Sequence, residues 1–422
     1  MKQERILGIA INNLTTDQLI SEVDRIIAGK KAVQLVTVNA EFLVAAQTDF
    51  RFREVLQSSA VNTADGIGIL WAASYLSAPT FSLRFLGSVV SFLQIFYFGL
   101  AVVFSPRYLR RVIKEKLSGV DLIWLLAGYA VKFSRSIFLL GGYGDTSAKV
   151  AAKLKAAYPN LRIVGIYAGS PQERGLVNLI NRKRPDILLV AFGPVAQEKW
   201  ISQNLKKLSV GLAIGLGGTF DYLAGKRPLA PKFLREIGLE WAFRLVTQPY
   251  RLKRVINAVP VFIFYAYRYK LLQAKPYRRS VSTCLINPQR KILICRRTKG
   301  RTEGQQDYWQ LPRGGLENDE DEEAAARREV GEELGIPNFQ IMYKLADVYK
   351  YDWTLYWAKF YNYAFRGQVL SIIYARIGED PIVRLDNFEF DAFRWSSPSE
   401  LLLNLHPTER EFGAIVLKHL PD

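Results

Sequence analysis

A chain of 422 residues exceeds what one ordinary hydrophobic core supports, so two domains are expected. Its 49% hydrophobic and 23% charged residues exclude a disordered protein, and its two cysteines, Cys284 and Cys295, exclude a disulfide framework and fit a reducing compartment. The net charge of +18 is lopsided: residues 277–422 hold 20 Lys and Arg against 22 Asp and Glu, so the first 276 residues carry +20, which favours a membrane surface, a nucleic acid or a phosphorylated substrate as partner.

The first residues, MKQERILGIAINN, lack the apolar core of a signal peptide. The run VQLVTVN is an apolar strand ending in Thr37-Val38-Asn39, and VNTADG ends in Asp65-Gly66. An aspartate beside glycine at a strand end can take a proton from an acceptor hydroxyl, although TADG is also an ordinary turn sequence. Phe85 to Phe104 holds no charged residue and is followed by Arg107, Arg110, Arg111, Lys114 and Lys116. Twenty such residues predict a membrane-inserted or interfacial helix; the alternative is a buried helix or a contact in a homo-oligomer.

From Ser136 the pattern alternates: IFLLGG, a helical TSAKVAAKLKAAYP, LRIVGIYAG, PDILLVAFG, a helical VAQEKWISQNLKKL, and VGLAIGLGG. Strands alternating with helices predict a parallel sheet covered on both faces, with ligands beyond the carboxyl ends of its strands. Residues 226–275 form a basic, aromatic stretch ending in VFIFYAYRYKLL, which reads as an interfacial anchor or a packed terminal helix. QAKPYRRS, 273–280, reads as the linker to a second domain at 277–422.

In that second domain, Gly314 and Gly315 follow the strand-like YWQLP and allow a tight loop. Asp319 or Glu320 starts a helix through Ala324–Ala326, and Gly335 ends it. Glu329, Glu332 and Glu333 stand at i, i+3 and i+4, so they share a face and repel one another unless a cation lies between them. Such oxygen donors suit Mg2+ or Mn2+. Arg328 can orient a carboxylate with a two-pronged bond, and Arg296, Arg297 and Arg313 can clamp phosphates.

This segment resembles the Nudix hydrolase family through YRRSV, ICRRTKG, YWQLPRGGLE and EFDAFRW, which run through nearly the whole domain. It is most similar to the RNA pyrophosphohydrolase and dinucleoside polyphosphate hydrolase branch. The resemblance implies an α/β/α sandwich that hydrolyses a nucleoside diphosphate-linked substrate. Carried over by position, Glu329, Glu332 and Glu333 become metal ligands, and Glu389 a further ligand or base.

Residues 1–272 resemble the WecG/TagA/CpsF glycosyltransferase family. The resemblance is carried in order by VTVNAEFL, TADGIGILWAA, SGVDLI, IFLLGG, RPDILLVAFG, QEKWI, GGTFDYLAGK and LEWAFRLVTQPYRLKR. It implies a Rossmann-like domain, with residues 77–111 as an apolar insertion. The implied reaction moves an N-acetylhexosamine, typically N-acetylmannosamine, from a UDP donor to a polyprenyl-diphosphate-linked acceptor at the cytoplasmic face of the cell membrane, without a cofactor. By position Asp65 is the base, Thr37 and Asn39 its neighbours, and Gly141, Gly142, Gln197 and Glu198 line the donor pocket. Lys116, Arg244, Arg251 and Arg254 face the acceptor and the membrane. The family's glutamate-arginine pair is Glu115-Lys116 here, its lysine-arginine-alanine-proline run is replaced by Arg227-Pro228-Leu229-Ala230-Pro231, and Pro194 is displaced; these departures bear on the acceptor and the sugar. Two other functions compete: an RNA 5′-end or dinucleoside polyphosphate hydrolase with a basic RNA-holding half, and a membrane scaffold with an inactive transferase.

Overall fold

A computed structural model describes residues 2–421 apart from 30, 81–83, 237–238, 250–251, 299–306, 318, 337 and 379–380. The chain divides into two compact units, Met1–Leu271 and Leu272–Asp422.

The first unit opens with an antiparallel hairpin of β1 (Gln3–Ile6) and β2 (Ile9–Asn12). Six strands follow: β3 (Val33–Val38), β4 (Val61–Ala64), β5 (Ser136–Gly141), β6 (Arg162–Tyr167), β7 (Ile187–Ala191) and β8 (Leu212–Gly215). They form one sheet in the order β4-β3-β8-β7-β5-β6, and every pairing is parallel. Helices cover both faces, as alternate strand and helix require. In β7, Ile187 and Leu189 enter one core while Leu188 and Val190 enter the other. The period-2 geometry of a strand makes such a run apolar throughout.

The apolar segment forms the helix Arg84–Phe104, followed by a 3-10 turn at Pro106–Arg111. Only 17% of its apolar window is buried, which excludes a wholly buried core helix. The basic aromatic stretch ends in one continuous helix, Leu252–Gln273, with Pro260 inside it. Phe262, Ala266, Tyr269 and Lys270 are buried at helical spacing, so one face of this helix is packed.

Three residues, 274–276, separate that helix from the next strand, so 277–280 belong to the sheet rather than to a linker. The second unit contains β9 (Tyr277–Ile286), β10 (Ile292–Arg297), β11 (Trp309–Gln310), β12 (Arg313–Gly315), β13 (Gln340–Asp352), β14 (Gly367–Arg376) and β15 (Phe390–Ser396). β9 and β14 pair in parallel and the other pairs are antiparallel, giving a mixed sheet. The helix Glu322–Leu334 closes one face through Ala325, Ala326, Val330 and Leu334. Arg410–Lys418 closes the other through Phe412 and Val416. Cys295 lies in the first of these cores and Cys284 in the second; both are free thiols, and burial pushes both up.

Candidate active sites

In the first unit the carboxyl ends of β3 and β4 bring three of the expected residues together. Thr37 pairs in register with Thr63 and is buried; Asp65 donates its backbone N–H to the Val38 carbonyl at 2.8 Å. Asn39 has a local duty: its side chain accepts from Phe42 N at 3.0 Å and caps the helix Ala40–Thr48. Gly66, at φ 91°, lets the chain turn from Asp65 into the helix Ile67–Ser77.

Two cations reach Asp65 from distant sequence. Leu117 N donates to the Ala64 carbonyl at 2.8 Å, which pins the Lys116 loop to the end of β4. Arg244 comes from the helix Glu240–Thr247 and lies 5.1 Å over the Tyr222 ring. Glu240 joins them, paired with Arg244 and 3.8 Å from Lys116. Half-buried Asp65 is pushed up to about 7, first by loss of solvent; Arg244 and Lys116 pull it down, Glu240 and Asp121 push it up. Asp121 is fixed by Arg235 at 2.9 Å and by the Ser118 hydroxyl. Sequence reading missed Glu240, although its i,i+4 spacing from Arg244 marks a helical ion pair. Arg251 lies outside the described residues, as does the side chain of Arg254.

Gly141 ends β5 and Gly142 follows it, at φ 89° and 77°, and a Cβ at Gly141 would lie 2.6 Å from the Ala191 carbonyl oxygen. They sit at a carboxyl end, where the fold admits a ligand. Gln197 and Glu198 are at that end too, but buried beneath the turn after β8. Gln197 accepts from Gly217 N at 3.0 Å and donates to Glu198 at 2.7 Å. A Cβ at Gly215 would meet both side chains. They therefore hold the turn rather than line an open pocket. Burial pushes Glu198 up to about 7, and one of its carboxylate oxygens is buried without a hydrogen bond. An open groove beside these ends is lined by Glu41, Phe42, Val44, Ala45, Pro194 and Val195 among others.

In the second unit the loop Arg313–Gly315 and the helix Glu322–Leu334 make the second site. Gly314 has a steric cause: a Cβ there would lie 1.7 Å from the Glu329 carboxyl carbon. The helix starts at Glu322, two residues beyond Glu320, because Asp321 caps it by accepting from Ala324 N at 2.8 Å. Gly335 ends it at φ 63°. Glu320 instead receives the expected two-pronged bond from Arg328, at 3.0 and 2.9 Å. Arg328 also donates to the Gly315 carbonyl and to Glu329, both at 2.9 Å, and reaches Glu332 at 3.3 Å.

Glu329 and Glu333 face inward, while the Glu332 side chain is 63% exposed. Glu333 is pushed up to about 9, first by burial and then by Glu329 and Glu389; Arg297 opposes this. One Glu333 carboxylate oxygen is buried with no hydrogen-bond partner. Glu389 is held by Arg297 at 3.3 Å, and its backbone N–H donates to Asp386. Among the described residues no three acidic, histidine or cysteine side chains form a ready-made metal cage. The donor set still fits a hard cation: oxygen ligands, mutual repulsion and an unmet buried oxygen.

The arginines separate. Arg297 joins Glu389 to the Trp357 ring, 5.5 Å away, and stands at the carboxylates. Arg296 turns to Asp391 at 2.7 Å and Asp307 at 3.6 Å. Arg313 is no phosphate clamp: its side chain is buried against Glu409 and donates to Gln310 at 2.9 Å. Tyr308 donates to the same Glu409 at 2.6 Å. A buried pair of this kind is structural, since exposing the guanidinium to substrate would strand Glu409.

Comparison with known proteins matches the glycosyl transferase WecG/TagA/CpsF family to residues 4–90 and 93–276, and the NUDIX domain to residues 276–416. An N-acetylglucosaminyldiphosphoundecaprenol N-acetyl-beta-D-mannosaminyltransferase of Bacillus subtilis is 30% identical over 259 residues, 61% of this chain and 88% of that protein. The enzyme of the same name from Staphylococcus aureus (strain MRSA252) is 23% identical over 64% of this chain and 92% of its own. Among solved structures, the MutT protein of Methanosarcina mazei aligns with 35% of this chain and 98% of its own, at 23% identity and a TM-score of 0.27. The chain thus belongs to the WecG/TagA/CpsF glycosyltransferase family and carries a Nudix hydrolase domain behind its transferase domain.

Proposed function

We propose that the first domain transfers an N-acetylhexosamine of the N-acetylmannosamine type from a UDP donor to a polyprenyl-diphosphate-linked acceptor at the cytoplasmic membrane face. The Asp65 cluster carries this reading. A carboxyl group near pH 7 is ionised in a useful fraction yet basic enough to accept a proton. The acceptor hydroxyl gives its proton to Asp65 as its oxygen bonds to the donor's anomeric carbon. The bond from that carbon to the UDP oxygen breaks, UDP leaves, and the configuration inverts. Lys116 and Arg244 balance diphosphate charge beside the base, and Gly141 and Gly142 let the donor approach backbone amides. The relatives' names support the same transferred sugar and a polyprenyl-diphosphate-linked acceptor.

The Nudix domain hydrolyses a nucleoside diphosphate-linked substrate with Mg2+ or Mn2+ held by Glu329, Glu332, Glu333 and Glu389. A bound divalent cation supplies a lowered water pKa and stabilises phosphoryl charge. Arg328 fixes the loop and two of the carboxylates, and Arg297 positions Glu389. The fusion points to a nucleotide connected with the transfer as substrate. The test is a product assay of the full chain with Mg2+, offering UDP-sugars, dinucleoside polyphosphates and 5′-triphosphate RNA. Cleavage of a UDP-sugar that Glu332→Gln abolishes supports the link. Cleavage of dinucleoside polyphosphates or RNA alone contradicts it.

A further inference from the structure

We infer that the helix Arg84–Phe104 lies flat in the membrane surface as a monotopic docking platform and does not cross the bilayer. Length and composition alone permit a span: this is one helix with a mean hydropathy of 2.0 in its apolar window. Its two faces decide otherwise. Phe85, Val89, Phe92, Phe96, Leu100 and Val103 recur every three or four residues and are each 40–80% exposed. The opposite side, which holds Ser91 and Gln94 together with Phe98, is packed on protein. Tyr75 donates its hydroxyl to the Ser91 carbonyl at 3.1 Å, and Gln94 donates to the Pro79 carbonyl at 3.1 Å. Buried Phe98 stands 6.4 Å from the Tyr75 ring and 6.2 Å from Tyr108.

A crossing helix needs lipid or transmembrane partners around its whole circumference over about 30 Å. Here Ser91 to Phe98 is bound along one side to the body of the α/β domain. An apolar stripe exposed along one side of a helix whose other side is fixed to its own domain suits a helix lying in the membrane plane. The stripe continues onto the neighbouring helix Leu252–Gln273, which exposes Val261 and Phe264 and sets the Tyr267 ring 6.4 Å from Phe92.

Charge selects the occupant. Arg107, Arg110, Arg111 and Lys114 follow the stripe directly, and Arg107, Arg111 and Lys114 are exposed. Apolar side chains bordered by cations match acyl chains under anionic headgroups. A second copy of this chain would set the same cations against themselves. The platform also bears on the reaction, a consequence that rests on the proposed lipid-linked acceptor. Tyr75, its support, stands in the last turn of a helix of 11 residues, about 16 Å long, that begins just after Asp65. A diphosphate at the headgroups thus comes within reach of the base while its lipid stays in the membrane.

The test uses the full chain in flotation with phosphatidylglycerol-rich vesicles and with phosphatidylcholine vesicles. Wild type should float with the anionic vesicles and lose at least about tenfold in partitioning when Phe92→Glu and Phe96→Glu are combined, with an unchanged melting temperature. Arg107→Gln with Arg111→Gln should weaken binding in a salt-dependent way. Nitroxides at Phe85→Cys, Leu93→Cys and Leu100→Cys should report one shallow depth. A depth that peaks at residue 93 would mean a span and overturn the inference. So would a dimer that the glutamate variants dissociate while vesicle binding is absent. Transfer to a short, water-soluble acceptor should survive in the glutamate variants. Normal flotation with no transfer would instead count against the proposed function and leave the platform standing.

Discussion

Asp65 is the residue on which the transferase chemistry turns, and its neighbours make its behaviour testable by sign. Its active form as a base is the carboxylate, so activity should rise as pH climbs through about 7. Arg244→Ala removes a charge that lowers the Asp65 pKa, so the acidic limb should move to higher pH. Glu240→Gln removes one that raises it, so the limb should move lower. Rate against pH for the three proteins checks both directions, and equal limbs would show that another group titrates. In the second site, Gly314→Ala must displace the Glu329 carboxylate; hydrolysis should fall with little change in melting temperature. Arg328→Ala should cost about 10–100-fold in metal affinity, measured by Mg2+ titration of activity, because that side chain holds the loop and two carboxylates together. The residues named from motif spacing were legible because backbone geometry and ligand type restrict them. Arg313 was not: its type says phosphate, and only three-dimensional burial beside Glu409 says ion pair. Glu198 was placed at the right end of the sheet, but sequence carries no sign of the turn that covers it.

At the scale of elements, the helix Leu252–Gln273 is fastened by a buried cation. Lys270 donates to the carbonyls of Tyr75 and Ala78, at the end of the helix Ile67–Ser77. The last carbonyls of a helix have no partner within it, and a lysine there meets that need. Lys270→Ala should destabilise the first unit by about 1–3 kcal/mol, because the part-buried Ala78 carbonyl loses its ammonium donor and the Tyr75 carbonyl keeps only the 3.4 Å bond from Ala78 N. Thermal melts would show it, and an unchanged melting temperature would mean that water replaces the ammonium. The alternating strands were legible from their apolar runs, and so was the length of the helix Arg84–Phe104. The face that this helix turns to protein was not, since nothing in the sequence marks the contacts that Ser91 and Gln94 make with Tyr75 and Pro79. The Nudix helix starts at Glu322 rather than at Asp319 or Glu320 because Asp321, among several adjacent acids, makes the cap.

For the whole molecule, charge and composition told two domains apart before any motif did. The +20 half is the transferase, with its lipid-linked acceptor proposed, and the near-neutral half is the hydrolase. Each unit has its own sheet and cores, so the two chemistries should be separable by single substitutions that leave both folds intact. The most direct measurement is transfer and hydrolysis assayed side by side in wild type, Asp65→Asn and Glu329→Gln, with a UDP-N-acetylhexosamine, a polyprenyl-diphosphate-linked acceptor and Mg2+. Asp65→Asn should lose transfer by about 100-fold or more and keep hydrolysis, and Glu329→Gln should do the reverse. Transfer that survives in Asp65→Asn would contradict the account, because the residue at the centre of its charge cluster would then not be the base.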